Sequence, residues 1–131
     1  MKKYMKKLLT VFFMIMLVFQ FGCKEKRITY ADTGSTVNLK VNQLLVIELP
    51  GNPSTGNSWR TVEYDENIIL KMEDAVFTPK DERIGSPGVY QYTFKATAPG
   101  TSKLYMEYGP KYDNEKEALK TFDLEVVVVG G

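Results

Sequence analysis

The chain has 131 residues and nearly balanced charge, with 17 lysines and arginines against 16 aspartates and glutamates. This length fits one domain. Because the sequence contains no histidine and only one cysteine, Cys23, it excludes a Ser-His or Cys-His catalytic pair, a histidine-based zinc site and an intramolecular disulfide. We therefore predict a protein that is not an enzyme and that carries no metal and no cofactor.

The first 22 residues are unlike the rest of the chain. Residues 1–7 carry four lysines and no acid, and residues 8–21 form a run of 14 residues that is apolar except for Thr10 and Gln20. A membrane-spanning helix needs ~20 apolar residues, whereas a basic segment followed by a short apolar one is typical of a secretory signal. We predict that residues 1–22 are a signal peptide; an unusually short membrane anchor is the alternative.

Cys23 follows Gly22 where the apolar run ends. A small residue before a cysteine at this point resembles the bacterial lipoprotein cleavage site, although Gln20 and Phe21 depart from the usual motif. The resemblance implies that Cys23 is lipidated and that the protein, secreted across the inner membrane, is anchored in the cell envelope by this lipid. The alternative is an incidental cysteine in a discarded peptide.

Cleavage before Cys23 would leave 13 basic and 16 acidic residues, a net charge of −3. Such a chain lacks the basic excess that nucleic-acid binding needs. Residues 23–35 are polar and of mixed charge, and we predict that they form a tether between the lipid and a folded domain spanning residues 36–131.

Beyond the tether, apolar and polar residues alternate with a period of two, which is typical of strands with one buried face. The pattern is clearest in Tyr90, Tyr92, Phe94 and Ala96. The predicted strand runs are residues 37–41, 44–49, 58–64, 68–77, 89–96, 104–108 and 122–129. Turn signals separate them, and residues 115–120 could form one helical turn. Short strands at this spacing predict an all-β antiparallel sandwich or barrel.

The stretch Gly51-Asn-Pro-Ser-Thr-Gly-Asn-Ser-Trp59 precedes the only tryptophan. Pro53 fixes its own φ, Ser54 and Thr55 can bond to nearby backbone, and Gly56 permits a positive φ. These residues predict a rigid loop that loses little conformational entropy on binding, followed by a strand with Trp59 packed inward. A plain hairpin turn before a core tryptophan is the alternative.

The Asn-Pro-Ser-Thr-Gly motif at residues 52–56, followed by Trp59, resembles the first inhibitory loop of the chagasin family of cysteine-peptidase inhibitors. Gly85-Ser-Pro-Gly88 stands where that family has its second loop, and Gly109-Pro110-Lys111 stands where it has Arg-Pro-Trp. The resemblance covers roughly residues 38–129. Asn57, Pro87, Gly109 and Lys111 depart from the usual residues.

This resemblance implies an immunoglobulin-like antiparallel β-sandwich with three inhibitory loops at one end. It also implies a reversible, non-covalent inhibitor that occludes the cleft of a papain-like cysteine peptidase. The implied peptidase-binding residues are Asn52, Pro53, Ser54, Thr55 and Gly56, then Gly85, Ser86, Pro87 and Gly88, and then Gly109, Pro110, Lys111 and Tyr112. Tyr108 and Tyr112 are the aromatic candidates to replace the missing tryptophan; the alternative is that they are strand-end tyrosines tilted toward solvent without a contact role.

Two other functions remain open from the sequence. The first is a non-inhibitory cell-surface binding module on the same scaffold, motivated by the altered third loop. The second is a structural envelope lipoprotein without loop-based activity.

Overall fold

The computed structural model describes residues 24–130, which fold into two β-sheets packed face to face. The strands are β1 Lys26–Thr29, β2 Ser35–Lys40, β3 Leu44–Gly51, β4 Asn57–Glu63, β5 Ile69–Lys71, β6 Val76–Pro79, β7 Gly88–Ala96, β8 Gly100–Pro110 and β9 Lys120–Val129. Two short 3₁₀ turns, Tyr30–Asp32 and Pro53–Thr55, complete the secondary structure of this part of the chain.

One sheet has the order β1-β3-β7-β5, with β6 also paired to β7, and the other has the order β2-β9-β8-β4. The predicted all-β sandwich is confirmed. Pairing is antiparallel except at two places, where β1 lies parallel to β3 and β2 lies parallel to β9. Each sheet is therefore mixed, because the two N-terminal strands add in parallel to strands that are distant in sequence.

The core lies between the sheets and is built by the alternation seen in the sequence. Tyr90, Tyr92, Phe94 and Ala96 of β7 are buried, while the residues between them face outward or are half-buried. Phe122 of β9 is also fully buried. The buried hydrophobic residues of the described chain run from Ile28 to Val128, and those packed between the two sheets form one cluster.

The predicted tether is wrong for most of its length. Residues 26–29 form β1, Ile28 is 6% exposed within the core, and the Gln43 Nε2 group donates to the Lys24 carbonyl (2.7 Å). The domain therefore begins at about Lys24 and not at residue 36. The sequence did not indicate this strand because four residues with one apolar side chain show no alternation.

The run at residues 68–77 was predicted as one strand but forms two, β5 and β6. Both pair with β7, at successive positions along it. The charged pair Glu73-Asp74 lies in the break, where exposed backbone accommodates two carboxylates more readily than a paired strand does. Residues 115–120 form no helix.

The strand ends define two poles of the sandwich. Gly51 pairs with Gly88, and Asn57 pairs with Pro110, so β3, β4, β7 and β8 meet at one pole, here called the loop end. Lys26 pairs with Leu45 and Leu44 pairs with Lys95 at the other pole, here called the N-terminal end. No helix of the described residues is long and apolar enough to cross a membrane.

We predict that Ile28→Ala lowers the free energy of unfolding by about 2 kcal/mol or more, because it removes a buried side chain and leaves a cavity. Denaturant unfolding of residues 24–130 measures this. The control is Lys26→Ala on the same strand, whose exposed side chain should change stability by less than about 0.5 kcal/mol. Equal, small effects from both variants would mean that β1 is a loose tether after all.

Candidate functional site

The three predicted loops lie together at the loop end. The first loop, residues 52–56, joins β3 to β4; the second loop, residues 80–87, joins β6 to β7; the third loop, residues 111–119, joins β8 to β9. The backbone N–H of Lys111 donates to the Gly56 carbonyl (3.0 Å), which links the third loop to the first. The clustering implied by the sequence resemblance is confirmed.

The first loop is a 3₁₀ turn held by its own side chains. Asn52 caps the turn, and its Oδ1 accepts from the Ser54 backbone N–H (3.0 Å) and from the Ser54 hydroxyl (2.6 Å). The Thr55 hydroxyl donates to the Asn52 carbonyl (2.7 Å), and Gly56 closes the turn at φ +81°, a left-handed conformation that favours glycine. The predicted bond of Thr55 to nearby backbone and the positive φ of Gly56 are confirmed, whereas the Ser54 hydroxyl bonds to the Asn52 side chain. The two hydroxyl protons are used inside the loop, so these groups offer a partner their exposed oxygens.

Asn52 also joins the first loop to the structures beside it. Its Nδ2 group donates to the Gly85 carbonyl in the second loop (3.0 Å), and its backbone N–H donates to the Tyr108 hydroxyl (3.0 Å). The Tyr108 carbonyl in turn accepts from the backbone N–H of Leu119 at the end of the third loop (2.8 Å). Asn52 is thus bonded directly to the second loop and, through Tyr108, is connected to the end of the third loop.

Two buried aromatic rings lie beneath this junction. Trp59 and Tyr108 have ring centroids 5.2 Å apart, and the Trp59 indole N–H donates to the Pro50 carbonyl (2.8 Å). Trp59 is 5% exposed, so its predicted inward packing is confirmed. Tyr108 is 6% exposed. The suggestion that Tyr108 replaces a missing surface tryptophan is therefore wrong, because its ring belongs to the core and its hydroxyl to Asn52.

The second loop is closed by hydrogen bonds at its base and near its tip. The Lys80 backbone N–H donates to the Pro87 carbonyl (2.8 Å), and the Asp81 carboxylate accepts from the Arg83 guanidinium (2.8 Å). This guanidinium holds the pKa of Asp81 below its usual value. Gly85 has φ +79°. The hairpin is an ordered projection beside the first loop.

Two predicted contact residues of the second loop face inward. Ser86 is 9% exposed, and its hydroxyl donates to the Pro87 carbonyl (3.0 Å) and accepts from the Asp81 backbone N–H (3.3 Å). At Gly88, an added Cβ would lie 2.1 Å from the Thr78 carbonyl oxygen. Ser86 and Gly88 shape the loop, and the exposed backbone at this site belongs to Gly85 and Pro87.

The third loop leaves the sheet at Pro110 and is exposed at Lys111 and Tyr112. Tyr112 is 92% exposed, and the Lys111 Nζ lies 5.8 Å from the centroid of its ring. Tyr112 is therefore the accessible aromatic residue at this position. Gly109 lies within β8, where its backbone pairs with Ser58.

Arg60 supports the third loop from the neighbouring strand. Its guanidinium bonds to the Glu107 carboxylate on β8 and to the Asn114 side-chain oxygen in the loop. The same guanidinium lowers the pKa of Glu107 below its usual value. Arg60 was not predicted from the sequence, because its partners lie 47 and 54 residues away.

Ile84 is the functional candidate that the sequence analysis missed. It lies at the tip of the second loop, between Arg83 and Gly85, and its side chain is fully exposed. An isolated β-branched apolar residue between a charged residue and a glycine was the available signal. The first and second loops also border a shallow groove of about 250 Å³, lined by Pro53, Phe77 and Arg83 among others.

The geometry of the loop end offers a preformed surface. Within residues 24–130, no cluster of carboxylates and cysteine could hold a metal ion. The loop end instead presents a rigid central turn, an apolar tip and an exposed aromatic ring. Such a surface suits recognition of another macromolecule.

The comparison with known sequences decides which kind of recognition this is. A model of the chagasin family of peptidase inhibitors, I42, matches residues 38–126. The chain belongs to this family. It is a peptidase inhibitor and not an enzyme.

Individual relatives agree with the family. Chagasin of Trypanosoma cruzi is 29% identical over 99 residues, covering 69% of this chain and 90% of that protein. The crystal structure of EhICP2, a cysteine protease inhibitor from Entamoeba histolytica, matches with a TM-score of 0.71 and 23% identity over 79% of this chain and 95% of the other. The structure of PbICP-C in complex with falcipain-2 matches with a TM-score of 0.53 and 20% identity, covering 82% and 93%. The two structures share the fold of this inhibitor.

We predict that Asn52→Ala lowers the free energy of unfolding by about 1–2 kcal/mol, because the turn loses its cap. It should also speed hydrogen exchange at the Ser54 amide, whose acceptor is removed. Denaturant unfolding and amide exchange measure the two effects. The control is Asn57→Ala, whose side chain makes a single bond, to the Thr55 hydroxyl oxygen. If both variants behaved like the unaltered chain, Asn52 would not hold the loops together.

Proposed function

We propose that the protein inhibits papain-like cysteine peptidases reversibly, by inserting its three loops into the active-site cleft. The observation that carries this proposal is the connection of the loops by Asn52 into one rigid surface. Rigid loops lose little conformational entropy on binding, so more of the contact energy appears as affinity. The structure of PbICP-C in complex with falcipain-2 supports a peptidase as the partner.

The first loop resists the cleavage that an ordinary peptide would undergo. A peptidase cleaves an extended segment, whereas residues 53–55 form a closed 3₁₀ turn with internal hydrogen bonds. Pro53 and the capping bonds of Asn52 oppose its opening. This turn can cover a catalytic cysteine without presenting a scissile bond in the required geometry, so inhibition needs no covalent step.

The flanking loops supply the area that one turn cannot. A stable interface buries about 800 Å² on each partner, with a few residues contributing most of the affinity. The exposed residues among the predicted contacts are Pro53, Ser54, Thr55, Gly56, Gly85, Pro87, Lys111 and Tyr112. The exposed large hydrophobic side chains of the flanking loops are Ile84, Tyr112 and Leu119.

We predict that Thr55→Arg raises the inhibition constant by at least about tenfold, or about 1.4 kcal/mol, because a long cationic side chain would separate the turn from the cleft. Titration of residues 24–130 against papain and a cathepsin L-type peptidase, with a small fluorogenic substrate, measures this. The control, Asn38→Arg, adds the same charge to an exposed position on β2. Equal inhibition by both variants would remove the first loop from the mechanism.

We also predict that Ile84→Ala raises the inhibition constant by about tenfold, because burying an isoleucine side chain contributes about 1.5–3 kcal/mol and most of that would be lost. The melting temperature should not change, since the side chain is fully exposed in the free protein. Val129→Ala, at the opposite pole and 49% exposed, is the matched control. An unchanged inhibition constant for Ile84→Ala would show that the tip of the second loop stays outside the interface.

We propose further that the protein is secreted and anchored in the cell envelope through a lipid on Cys23. The support is the sequence alone, since the signal peptide and Cys23 lie outside the described residues: a basic segment, a short apolar run and a glycine before the cysteine. In a bacterium that processes lipoproteins, the chain should fractionate with membranes. Cys23→Ser should prevent lipidation, and a membrane form that still carries a free cysteine thiol would contradict the anchor.

A further inference from the structure

The folded domain begins almost at the proposed lipid. Strand β1 begins at Lys26, three residues after Cys23, and an extended chain spans at most about 3.6 Å per residue. The Lys24 carbonyl is already held by the Gln43 side chain (2.7 Å). A lipid on Cys23 would therefore keep this end of the domain within about 10 Å of the membrane surface.

The end that is held is the pole opposite the inhibitory loops. Lys26 pairs with Leu45 at the start of β3, and β3 runs from there to Gly51 at the loop end. Eight residues of strand, at about 3.3 Å each, separate the two poles by roughly 25 Å. A lipid just before β1 would therefore hold the N-terminal end, and not the loop end, near the membrane.

Four lysines lie around the start of β1. Lys24, Lys26 and Lys40 are exposed and Lys95 is half-buried. Gln43 connects the backbone segments that carry these lysines. Its side-chain Oε1 accepts from the Lys40 backbone N–H (3.0 Å), and its backbone carbonyl accepts from the N–H of Ala96, the residue after Lys95 (2.9 Å). Within residues 24–130, none of the four forms an ion pair.

The acidic residues of this pole are neutralised or lie on its far side. Glu25 pairs with Arg27 (3.1 Å). Glu63 ends β4, and Asp65 and Glu66 follow it before β5. Strands β4 and β5 form the opposite edges of the two sheets from β2 and β1. The half of the N-terminal end nearest Lys24 therefore carries unpaired positive charge, although the chain without residues 1–22 has a net negative charge.

We propose that this lysine-bearing half of the N-terminal end is a contact surface for anionic lipid headgroups, which holds the domain upright with its inhibitory loops directed away from the membrane. Basic residues close to an anionic surface each strengthen attachment by about fivefold. The lipid supplies the attachment and the lysines supply the orientation. This inference rests on the lipid anchor proposed above.

The test uses the lipidated chain, purified from bacterial membranes and reconstituted in phosphatidylcholine vesicles with or without phosphatidylglycerol. Lipidation consumes the Cys23 thiol, so an introduced cysteine is the only site for a fluorophore. Gly130→Cys reports the N-terminal end, since a side chain at Gly130 meets nothing within 4 Å and Val41 bonds to the Val129 carbonyl beside it. Tyr112→Cys reports the loop end. A nitroxide on the lipid headgroups quenches only nearby fluorophores.

On anionic vesicles we expect quenching at position 130 and none at position 112. The double variant Lys40→Gln, Lys95→Gln should lose this difference, as should raised salt, which screens exposed charges. The matched double variant Lys71→Gln, Lys103→Gln should keep it. Equal quenching at both positions, or a difference that survives on neutral vesicles and in the Lys40, Lys95 variant, would overturn the proposal.

Two further measurements distinguish a failure of this proposal from a failure of the lipid anchor or of the inhibitory function. Papain inhibition by the reconstituted Gly130→Cys protein, which carries no label on its loops, reports the inhibitory surface, and it should be the same in both lysine variants. A purified chain that retains a reactive Cys23 thiol would overturn the orientation together with the anchor. Binding of the lysine surface to an added protein or nucleic acid, with no dependence on anionic lipid, would contradict a membrane contact.

Discussion

The hydrogen bonds of Asn52 are the constraint on which the inhibitory surface depends. The side chain caps its own turn and holds the Gly85 carbonyl, while the backbone N–H of the same residue is held by Tyr108. Tyr108 is fixed in turn because its ring is buried against Trp59. The first loop is therefore fixed to the core through the hydrogen bond between the Tyr108 hydroxyl and the Asn52 backbone N–H. Three loops on separate hairpins would otherwise move independently, and a partner would have to order each of them.

The altered third loop shows how a surface can be rebuilt without its usual side chains. Gly109 and Lys111 stand where the family pattern has an arginine and a tryptophan, and the pairing of Gly109 with Ser58 keeps the strand regular. Arg60 holds the loop from β4 through Glu107 and Asn114. The support therefore comes from the neighbouring strand, and Tyr112 is exposed at the surface. The loop is thus still presented as an ordered element although its contact chemistry has changed.

Much of the fold could be predicted because its central strands alternate strictly. Strand β7 shows four inward residues in a row, and the motif from Asn52 to Trp59 combines a proline, a cap and a left-handed glycine in a fixed order. Strand β1 could not be found in this way, since only Ile28 faces the core. Its position depends on β3, which the local sequence does not reveal.

The site was predictable where backbone geometry determines it and not where tertiary contacts do. The turn at Pro53 follows from local preferences. Tyr108 was assigned to the surface because a strand-end tyrosine can point either way, and only packing on Trp59 decides the outcome. Ser86 was named as a contact residue because it lies in the motif that resembles the family's second loop, but here its hydroxyl closes the hairpin. Ile84 was overlooked since a lone apolar residue in a charged loop has no periodic pattern.

The parallel pairing of β2 with β9 has a consequence for how the chain reaches its folded state. Ser35 lies beside Leu124 and Lys40 beside Val129. Strand β2 therefore cannot pair within its sheet until β9 is present. Contacts this distant in sequence form slowly, because a long loop must be closed before they give any stability. A polypeptide emerging from the ribosome cannot complete this sandwich until its final residues are available. For the secretion proposed above, this delay would be useful, because the chain would stay extended while it crosses the membrane and the sandwich would close on the far side.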